Sequence, residues 1–463
     1  MKTPLPILSV ILLLSLPVTA SAADATEKTL SLRECIDIAL KNATTVAKAE
    51  NMLRLEGTDV LKSYGSFLPK VSAAATYVPW SVSRSYAERS SLETGVTRVR
   101  TDTETLDLTL TASLNIFNGL RDYASLRAAL DRQKAAGHTV WRAKQTVVFD
   151  ITQHYYQVLL DGELLGIAQE NLRSAKDLLT LTDRQFQIGL KSAADLYQQQ
   201  AEVGNNELSA IRAETRLRRS KLELLRRLRI DPRTALSLEP VPGGMEDSPI
   251  LSSDPDTLAG YGLRHRRDLL ALERETAASR WEITRAAGSR YPSLDLNFNV
   301  STSAVESFSQ TIGGQTLAYT YPPVSDQLTG LVGYSLVLSM NWPIFDGFLT
   351  RYSVESARVS HLNQQLDLDD LKKGILIDLQ QVAGDYRAAL KQIETARLNL
   401  RAAQSAFDSV RKKYELGASG FVELSASRAV LFNAKSSQTQ ATYNLALQKS
   451  ILDYTAGRTD IHE

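Results

Sequence analysis

The sequence predicts a mainly α-helical protein with an internal duplication, in which four β-strands contribute to a membrane barrel. The prediction depends on three patterns: segments of alternating apolar and polar residues, an unusually long helical seam, and the recurrence of both at a fixed offset. With 43% hydrophobic and 23% charged residues, the 463-residue chain is neither disordered nor a bundle of transmembrane helices. The formal net charge of +1 gives no reason to expect nucleic acid as a partner.

The N-terminus is typical of a secretory signal peptide. Lys2 precedes an apolar run from Leu5 to Val18, and small residues around Ala22 supply a cleavage site. We therefore assign residues 1–22 to a signal peptide and expect an exported protein. The single cysteine, Cys35, lacks the preceding small apolar residues of a lipidated cysteine, so we expect it to be buried in a helix.

Four later segments alternate strictly between apolar and polar residues. They cover residues 71–78, 105–116, 294–301 and 336–342. No stretch beyond the signal peptide reaches 18 consecutive apolar residues, so a membrane-spanning part must consist of β-strands. The alternation matches the lipid-out, water-in pattern of outer-membrane barrels, and a half-buried soluble sheet is the alternative. Aromatic residues near the strand ends favour the barrel, as do long polar loops predicted over 81–104 and 302–328.

The segments between the strands predict long helical hairpins. Residues 348–416 contain no proline, and small or apolar residues recur with four-three spacing from Ile375 to Tyr414. At 1.5 Å per residue, a helix over most of this stretch is roughly 100 Å long. Gly189 and Gly417 follow the two long helices and are placed to close antiparallel coiled-coil hairpins.

An offset of 228 residues relates the two halves of the chain. It maps Phe345–Gly347 onto Phe117–Gly119 and the second helical seam onto the first, while Pro292 maps onto Pro69 at an offset of 223. We divide the chain into a signal peptide (1–22), a first structural repeat (23–229), a linker or equatorial segment (230–255) and a second repeat (256–463). The predicted strand–helix junctions are Pro69, Phe117, Gly119, Pro292, Pro343, Phe345 and Gly347.

Several of these features together resemble the TolC family of outer-membrane efflux and secretion channels. They are the Trp342–Gly347 junction, the Leu30–Leu32 opening of a helix that carries Ala39–Asn42, and the turns after Ile188 and Tyr414. The resemblance covers nearly the whole mature chain. Four strands cannot close a barrel, so cyclic association must supply eight from a dimer or twelve from a trimer. The resemblance selects a homotrimer, with a 12-stranded barrel in the outer membrane and a helical α-barrel extending into the periplasm.

The function that the resemblance implies is a conduit rather than a catalyst. Its expected partners are a periplasmic adaptor (membrane fusion protein), an inner-membrane RND or ABC transporter and outer-membrane lipid. Multidrug or small-molecule efflux is favoured over an exit duct for type I polypeptide secretion, and the cargo itself stays open. A secreted coiled-coil structural protein and a periplasmic enzyme are the alternatives. No histidine pair, Walker loop or nucleophile elbow is present, so we expect no enzyme activity, cofactor or metal.

The resemblance also assigns site residues at the two hairpin turns. Gly189, Leu190, Gly417 and Ala418 are expected to dock the adaptor, and Asp195, Tyr414 and Glu423 to form the gate or constriction. Ser419 and Ala426 depart from the pattern, since some members carry an arginine and a second acidic residue there. Alternatively, the glycines only close turns, and the two carboxylates are helix N-terminal charges that favour the macrodipole. A ring of Glu423 carboxylates would favour cations.

Overall fold

The structure is a computed structural model that describes residues 28–88, 96–240 and 255–459. The predicted signal peptide lies outside the described residues. The first half of the chain contains two long helices that follow a pair of strands. Its elements are β1 (Lys28–Leu30), α1 (Leu32–Asn42), α2 (Thr44–Gly65), β2 (Lys70–Glu88), β3 (Val96–Phe117), α3 (Arg121–Gln187), α4 (Ala193–Leu228) and β4 (Leu236–Leu238).

The second half has the same order of helices and long strands, with one added strand and one added short helix and, among the described residues, no counterpart of β1 or β4. Its long helices have the same lengths as those of the first half, 67 and 36 residues. The elements are α5 (Pro255–His265), α6 (Arg267–Ala287), β5 (Ser293–Ile312), β6 (Gln315–Tyr319), α7 (Val324–Gly330), β7 (Gly333–Asn341), α8 (Leu349–Glu415) and α9 (Phe421–Ala456). In the described ranges, no helix is both long enough and apolar enough to cross a membrane.

Five of the strands form one antiparallel sheet in the order β2, β3, β5, β7, with β6 beside the C-terminal end of β5. The β2–β3 and β5–β7 pairs have equivalent registers. Lys70 lies opposite Ser113, and the residues 223 and 228 positions later, Ser293 and Asn341, also lie opposite each other. The mainly α fold with a curled antiparallel sheet is therefore as predicted.

The predicted polar loops over 81–104 and 302–328 are largely wrong. β2 continues to Glu88, β3 begins at Val96, and β5 continues to Ile312. Bulges at Val78/Ser81 and at Glu104/Thr105 carry the ladder from the apolar part of each strand into a polar part rich in Ser and Thr. β-branched threonine favours strand geometry, so pairing continues after the apolar alternation ends. Residues 89–95 lie outside the described residues.

The helical seam packs as the spacing predicts. Ile375, Leu379, Tyr386 and Ile393 are buried in a core shared by α8, α9, α5 and α6. A second core gathers α1, α3, α4 and β4 around the fully buried Tyr155. Cys35 is buried in this second core, as expected. Burial, followed by the charge of Glu34, raises the pKa of its thiol to about 11, so it is an inert packing group.

Part of the predicted linker 230–255 is structured. β4 pairs in parallel with β1, with Leu236 opposite Lys28. The Tyr155 hydroxyl donates to the carbonyl oxygens of Glu239 (2.6 Å) and Leu30 (3.2 Å), which fixes this small sheet to α3. Residues 241–254 of the segment lie outside the described residues.

Candidate functional site

The turn between α3 and α4 is the tip of the first long hairpin. Gly189 has a φ of +78°, which glycine adopts without a Cβ penalty. Its amide donates to the Phe186 carbonyl (2.9 Å), and the Leu190 amide donates to the Gln185 carbonyl (2.8 Å). This pair of bonds is a Schellman motif, which satisfies the last carbonyls of α3. It leaves the Leu190 side chain 71% exposed at the end of the hairpin.

The turn between α8 and α9 has the same backbone geometry. Gly417 has a φ of +74°, its amide donates to the Tyr414 carbonyl (3.1 Å), and the Ala418 amide donates to the Lys413 carbonyl (2.8 Å). Gly417 and Ala418 are exposed, as are Gly189 and Leu190. The structure thus places the four residues predicted to dock an adaptor on two exposed tips of matching shape.

The carboxylate of Asp195 is engaged in capping α4. The Ser192 hydroxyl and amide donate to one Asp195 oxygen at 2.8 and 3.1 Å, and the Asp195 amide donates to the Ser192 hydroxyl at 3.1 Å. This reciprocal capping box satisfies two free amides at the helix N-terminus. The Ser192 side-chain and backbone bonds, with a smaller effect of the nearby Lys191 charge, hold the pKa of Asp195 below its usual value.

Glu423, 228 positions after Asp195, lies at the equivalent place in α9 but lacks this cap. Gly420 precedes α9 where Ser192 precedes α4, and it makes no side-chain cap. The Glu423 carboxylate accepts one hydrogen bond, from the Ser419 hydroxyl at 2.7 Å, and the side chain is exposed. Of the two predicted constriction carboxylates, Glu423 is therefore the one directed to solvent at the tip.

Tyr414 joins the two tips within the chain. It is 6% exposed and packs with Phe421 and Leu424 of its own hairpin and with Leu178 of α3. The ammonium group of Lys191 lies 4.4 Å from the centroid of its ring, a cation–π contact between one tip and the other. The Tyr414 hydroxyl is buried without a hydrogen-bond partner among the described residues. The structure thus brings Tyr414 to the loop before Asp195.

Two ion pairs connect the hairpins further from the tips. Arg428 of α9 has a side chain only 3% exposed and donates to Glu202 of α4 at 3.1 Å. Lys435 of α9 reaches Glu170 of α3 at 2.7 Å. The sequence contains a signal for the first pair, because Arg428 stands at a seam position between Leu424 and Leu431, where an apolar residue is the rule.

The predicted strand–helix junctions lie where the strands meet the helices. Pro69 and Pro292 precede β2 and β5, Phe117 ends β3, Gly119 precedes α3, and Pro343, Phe345 and Gly347 lie between β7 and α8. Gly119 has a φ of +70° and contacts the backbone of Gly288 so closely that an added Cβ would overlap the Gly288 carbonyl. The structure therefore shows a role for Gly288 that the sequence pattern does not indicate.

The two tips are exposed surfaces of mixed chemistry. They carry exposed apolar and small residues, the exposed Glu423 carboxylate and the inter-tip contact of Lys191 with Tyr414. No group of three or more His, Cys, Asp or Glu side chains within the described residues is placed to hold a metal ion.

Comparison with known proteins identifies the family of this chain. Residues 35–228 and 261–457 match the family described as outer membrane efflux protein. Among similar proteins are protein CyaE of Bordetella pertussis, 24% identical over 85% of this chain and 77% of that protein, and the outer membrane protein TolC of Escherichia coli, 21% identical over 89% of this chain and 83% of that protein.

Solved structures share the fold across almost the whole chain. The outer-membrane channel OprN superimposes with a TM-score of 0.76 and 19% identity, covering 92% of this chain and 89% of that one. The CmeC outer membrane channel of Campylobacter jejuni gives a TM-score of 0.76 at 16% identity, covering 93% and 87%. The predicted resemblance and the outer-membrane location are thereby confirmed. This chain belongs to the outer membrane efflux protein family and is a transport channel of the outer membrane, not an enzyme.

Proposed function

We propose that the chain is an internal duplication, with repeats at 23–229 and 256–463, that assembles as a homotrimer. Its function is to conduct substrates from a periplasmic adaptor and an inner-membrane RND or ABC pump to the exterior. The observation that carries this proposal is the pair of sheet edges. Within the described residues, β2 pairs with β3 alone and β7 with β5 alone, and unpaired edges are not tolerated in lipid. Three copies of β2, β3, β5 and β7 supply twelve strands.

The repeat offsets specify how neighbouring subunits pair. Within the chain, Thr111 of β3 lies opposite Asn299 of β5, and their side chains share a hydrogen bond of 2.9 Å. Adding 228 to the first number and subtracting 223 from the second gives Ser339 of β7 opposite Thr76 of the next subunit's β2. Both residues lie on the polar faces of their strands. Pairing β7 with the next subunit's β2 in this register therefore closes the ring with the polar face inside.

A close glycine contact supports the same ring. The equivalents of Gly119 and Gly288 are Gly347 and Gly65, and neither has an atom within 4 Å of an added Cβ in the single chain. Ring closure brings the start of α8 beside the end of the next subunit's α2, so these two glycines would meet as Gly119 and Gly288 do. The empty space beside them supports an interface between copies of this chain.

Cysteine crosslinking tests the ring. In a Cys35→Ala background, Ser339→Cys with Thr76→Cys should form disulfide-linked dimers and trimers in the outer membrane. The matched control replaces Thr76→Cys with Ala75→Cys, whose side chain lies on the opposite face of β2. Equal crosslinking of both pairs, or of neither, would refute the proposed register.

Small-molecule efflux is the favoured transport activity. Two relatives have names that indicate different cargo. One is a pyoverdine export protein of Pseudomonas aeruginosa, and another is a proteases secretion protein of Dickeya chrysanthemi. A photo-crosslinking residue at Leu190 distinguishes small-molecule efflux from polypeptide secretion. The control places the photo-crosslinking residue at Leu317 in β6, far from the tips. Capture of an adaptor and a proton-driven pump at Leu190 alone supports small-molecule efflux, whereas capture of an ABC transporter supports polypeptide secretion or ATP-driven efflux.

Leu190 also tests docking directly. We propose that the exposed Leu190, Gly189, Gly417 and Ala418 contact the adaptor, so Leu190→Asp should abolish export while the trimer level in the outer membrane stays unchanged. Leu317→Asp is the control for an added charge on an exposed leucine. Full export by the Leu190 variant would reject the docking role.

A further inference from the structure

The even-numbered face of β3 changes character along the strand. β3 has no bulge of its own between Val96 and Asn115, so its even-numbered side chains share one face throughout. From Leu106 to Leu114 this face is apolar, and in the barrel proposed above it faces lipid. Beyond Leu106 the same face carries Glu104 and Asp102, and then Arg100 and Arg98. The inference that follows depends on that orientation of the barrel.

Three arginines meet on this face where β2 pairs with β3. Arg84 lies directly opposite Arg100, and Tyr86 lies opposite Arg98. All three arginines are exposed. The Arg98 guanidinium lies 5.9 Å from the centroid of the Tyr86 ring, which confirms that these side chains share a face. Like charges directly opposite each other destabilise a strand pair, so the arrangement calls for an anion.

The nearby carboxylates neutralise only one of the three arginines, Arg100. Asp102 accepts two hydrogen bonds from Arg100, at 2.9 and 2.8 Å. Glu104 accepts from the hydroxyls of Tyr77 and Ser307. Among the residues that the structure describes, no carboxylate forms an ion pair with Arg84 or Arg98. Positive charge is therefore left over on this face.

Hydroxyl groups extend the same row across the sheet. Arg100 lies opposite Thr311 of β5, which lies opposite Thr316 of β6, and the two threonine hydroxyl oxygens are 2.9 Å apart. We call Arg84, Arg98, Arg100, Thr311 and Thr316 the arginine row. Guanidinium groups bind phosphate oxygens in a bidentate manner, and hydroxyls add further donors, so the row has the donor set of a phosphate site.

The height of the row fits the headgroup region of the outer leaflet. At about 3.4 Å per residue and a tilt of about 40°, the strand from Leu106 to Ile116 rises roughly 25 Å, the height of the apolar band of such barrels. Tyr77, opposite Leu106, and Trp80, which is 74% exposed, mark its upper boundary. Arg100 lies six residues further, roughly 15 Å above that boundary. The long helices leave the other end of the sheet, so the row lies on the exterior side.

We propose that the arginine row binds the phosphate groups on the sugar headgroup of an outer-leaflet glycolipid. The bound lipid neutralises Arg84 and Arg98, which have no carboxylate partner among the described residues, and holds the barrel at a defined height in the membrane. Lipid is the occupant that the position favours, because the row continues the lipid-facing stripe of β3 without a change of face.

The test measures retention of lipid by the purified trimer. The probes are nanodiscs of phosphatidylcholine containing rough lipopolysaccharide with its core phosphates, and the same lipopolysaccharide after removal of phosphate. The variant combines Arg84→Gln, Arg98→Gln and Arg100→Gln. Its matched control is Lys70→Gln, which removes one cation from the opposite end of β2.

Native mass spectrometry should show the phosphorylated glycolipid on the wild type and on Lys70→Gln, with at least tenfold less on the triple variant. Removal of phosphate from the lipid should lower retention by the wild type to the level of the variant. Equal retention by wild type and triple variant overturns the proposal. Full displacement of the lipid by 10 mM inorganic phosphate also overturns it, because the row would then be a site for free phosphate.

The same samples separate this inference from the proposed function. Trimer content on unheated gels and export activity should be unchanged in the triple variant, and the Ser339–Thr76 crosslink tests the barrel independently. If the triple variant does not assemble, the single Arg98→Gln variant, which leaves the strand pairing and the Arg100–Asp102 pair in place, is measured against Lys70→Gln with the same two criteria.

Discussion

Replacing Gly119 with alanine should destabilise the protein because the residue has both an unusual backbone conformation and a close backbone neighbour. At a φ of +70°, alanine costs about 1 kcal/mol relative to glycine. The new methyl group would also overlap the Gly288 carbonyl, a backbone group that cannot rotate away. Overpacking of this kind costs about 1–3 kcal/mol, so we expect a total loss of about 2–4 kcal/mol.

Gly189→Ala is the matched control, because Gly189 also has a positive φ, +78°, but nothing lies within 4 Å of an added Cβ. This variant should lose only the backbone contribution of about 1 kcal/mol. Circular dichroism at 222 nm during heating in detergent measures both. The Gly119 variant should show at least twice the loss in unfolding temperature. Equal shifts would refute the reasoning, because the close contact with Gly288 would then contribute nothing.

Three further predictions concern charged groups of the long hairpins, at the tips and further along the helices. Glu202→Ala should lower the unfolding temperature more than Arg428→Met, because the former leaves an arginine that is 3% exposed without its partner, at a cost of about 3 kcal/mol, while the latter leaves a carboxylate that water reaches; the reverse order in a thermal melt would contradict this. Glu423→Gln should lower the cation selectivity of single channels in planar bilayers, and unchanged reversal potentials would reject the constriction role. The stability difference between wild type and Asp195→Asn should be constant at pH 5–8 and should decrease as the pH falls through the lowered pKa of Asp195, since a carboxylate whose pKa is depressed on folding stabilises only while ionised; a difference that does not decrease as the solution is acidified to the limit of folding would show that the ionised carboxylate is not the stabilising group.

The parts of the fold that follow from local periodicity could be predicted from the sequence. The pattern that predicts the seam from Ile375 to Tyr414 repeats within one heptad, and Gly189 and Gly417 each indicate a turn locally. The structure has its long helices and turns at these places. The apolar halves of the strands are visible for the same reason. The polar extension from Arg84 to Glu88 is not, because its strand conformation comes from pairing with β3 rather than from burial of one face.

Contacts between segments that are distant in the chain are harder to predict from the sequence. The Gly119–Gly288 approach joins residues 169 positions apart, and neither glycine differs in its local sequence from an ordinary turn glycine. The cation–π contact of Lys191 with Tyr414 joins two tips whose separation depends on how the hairpins pack. The Arg428–Glu202 pair differs, because a charge at a seam position is a local signal that a partner is needed.

The two hairpin tips have the same backbone geometry, but their equivalent carboxylates make different contacts. Asp195 and Glu423 are 228 positions apart, each in the first turn of the helix that follows a tip. Ser192 engages Asp195 in a capping box, whereas Gly420 offers no such cap and leaves Glu423 with a single hydroxyl partner. A carboxylate that caps a helix is fixed by the fold, while an exposed one can rotate toward solutes or a partner surface. In the proposed ring the two halves of the chain alternate, so fixed Asp195 carboxylates and adaptable Glu423 carboxylates would alternate around the tips.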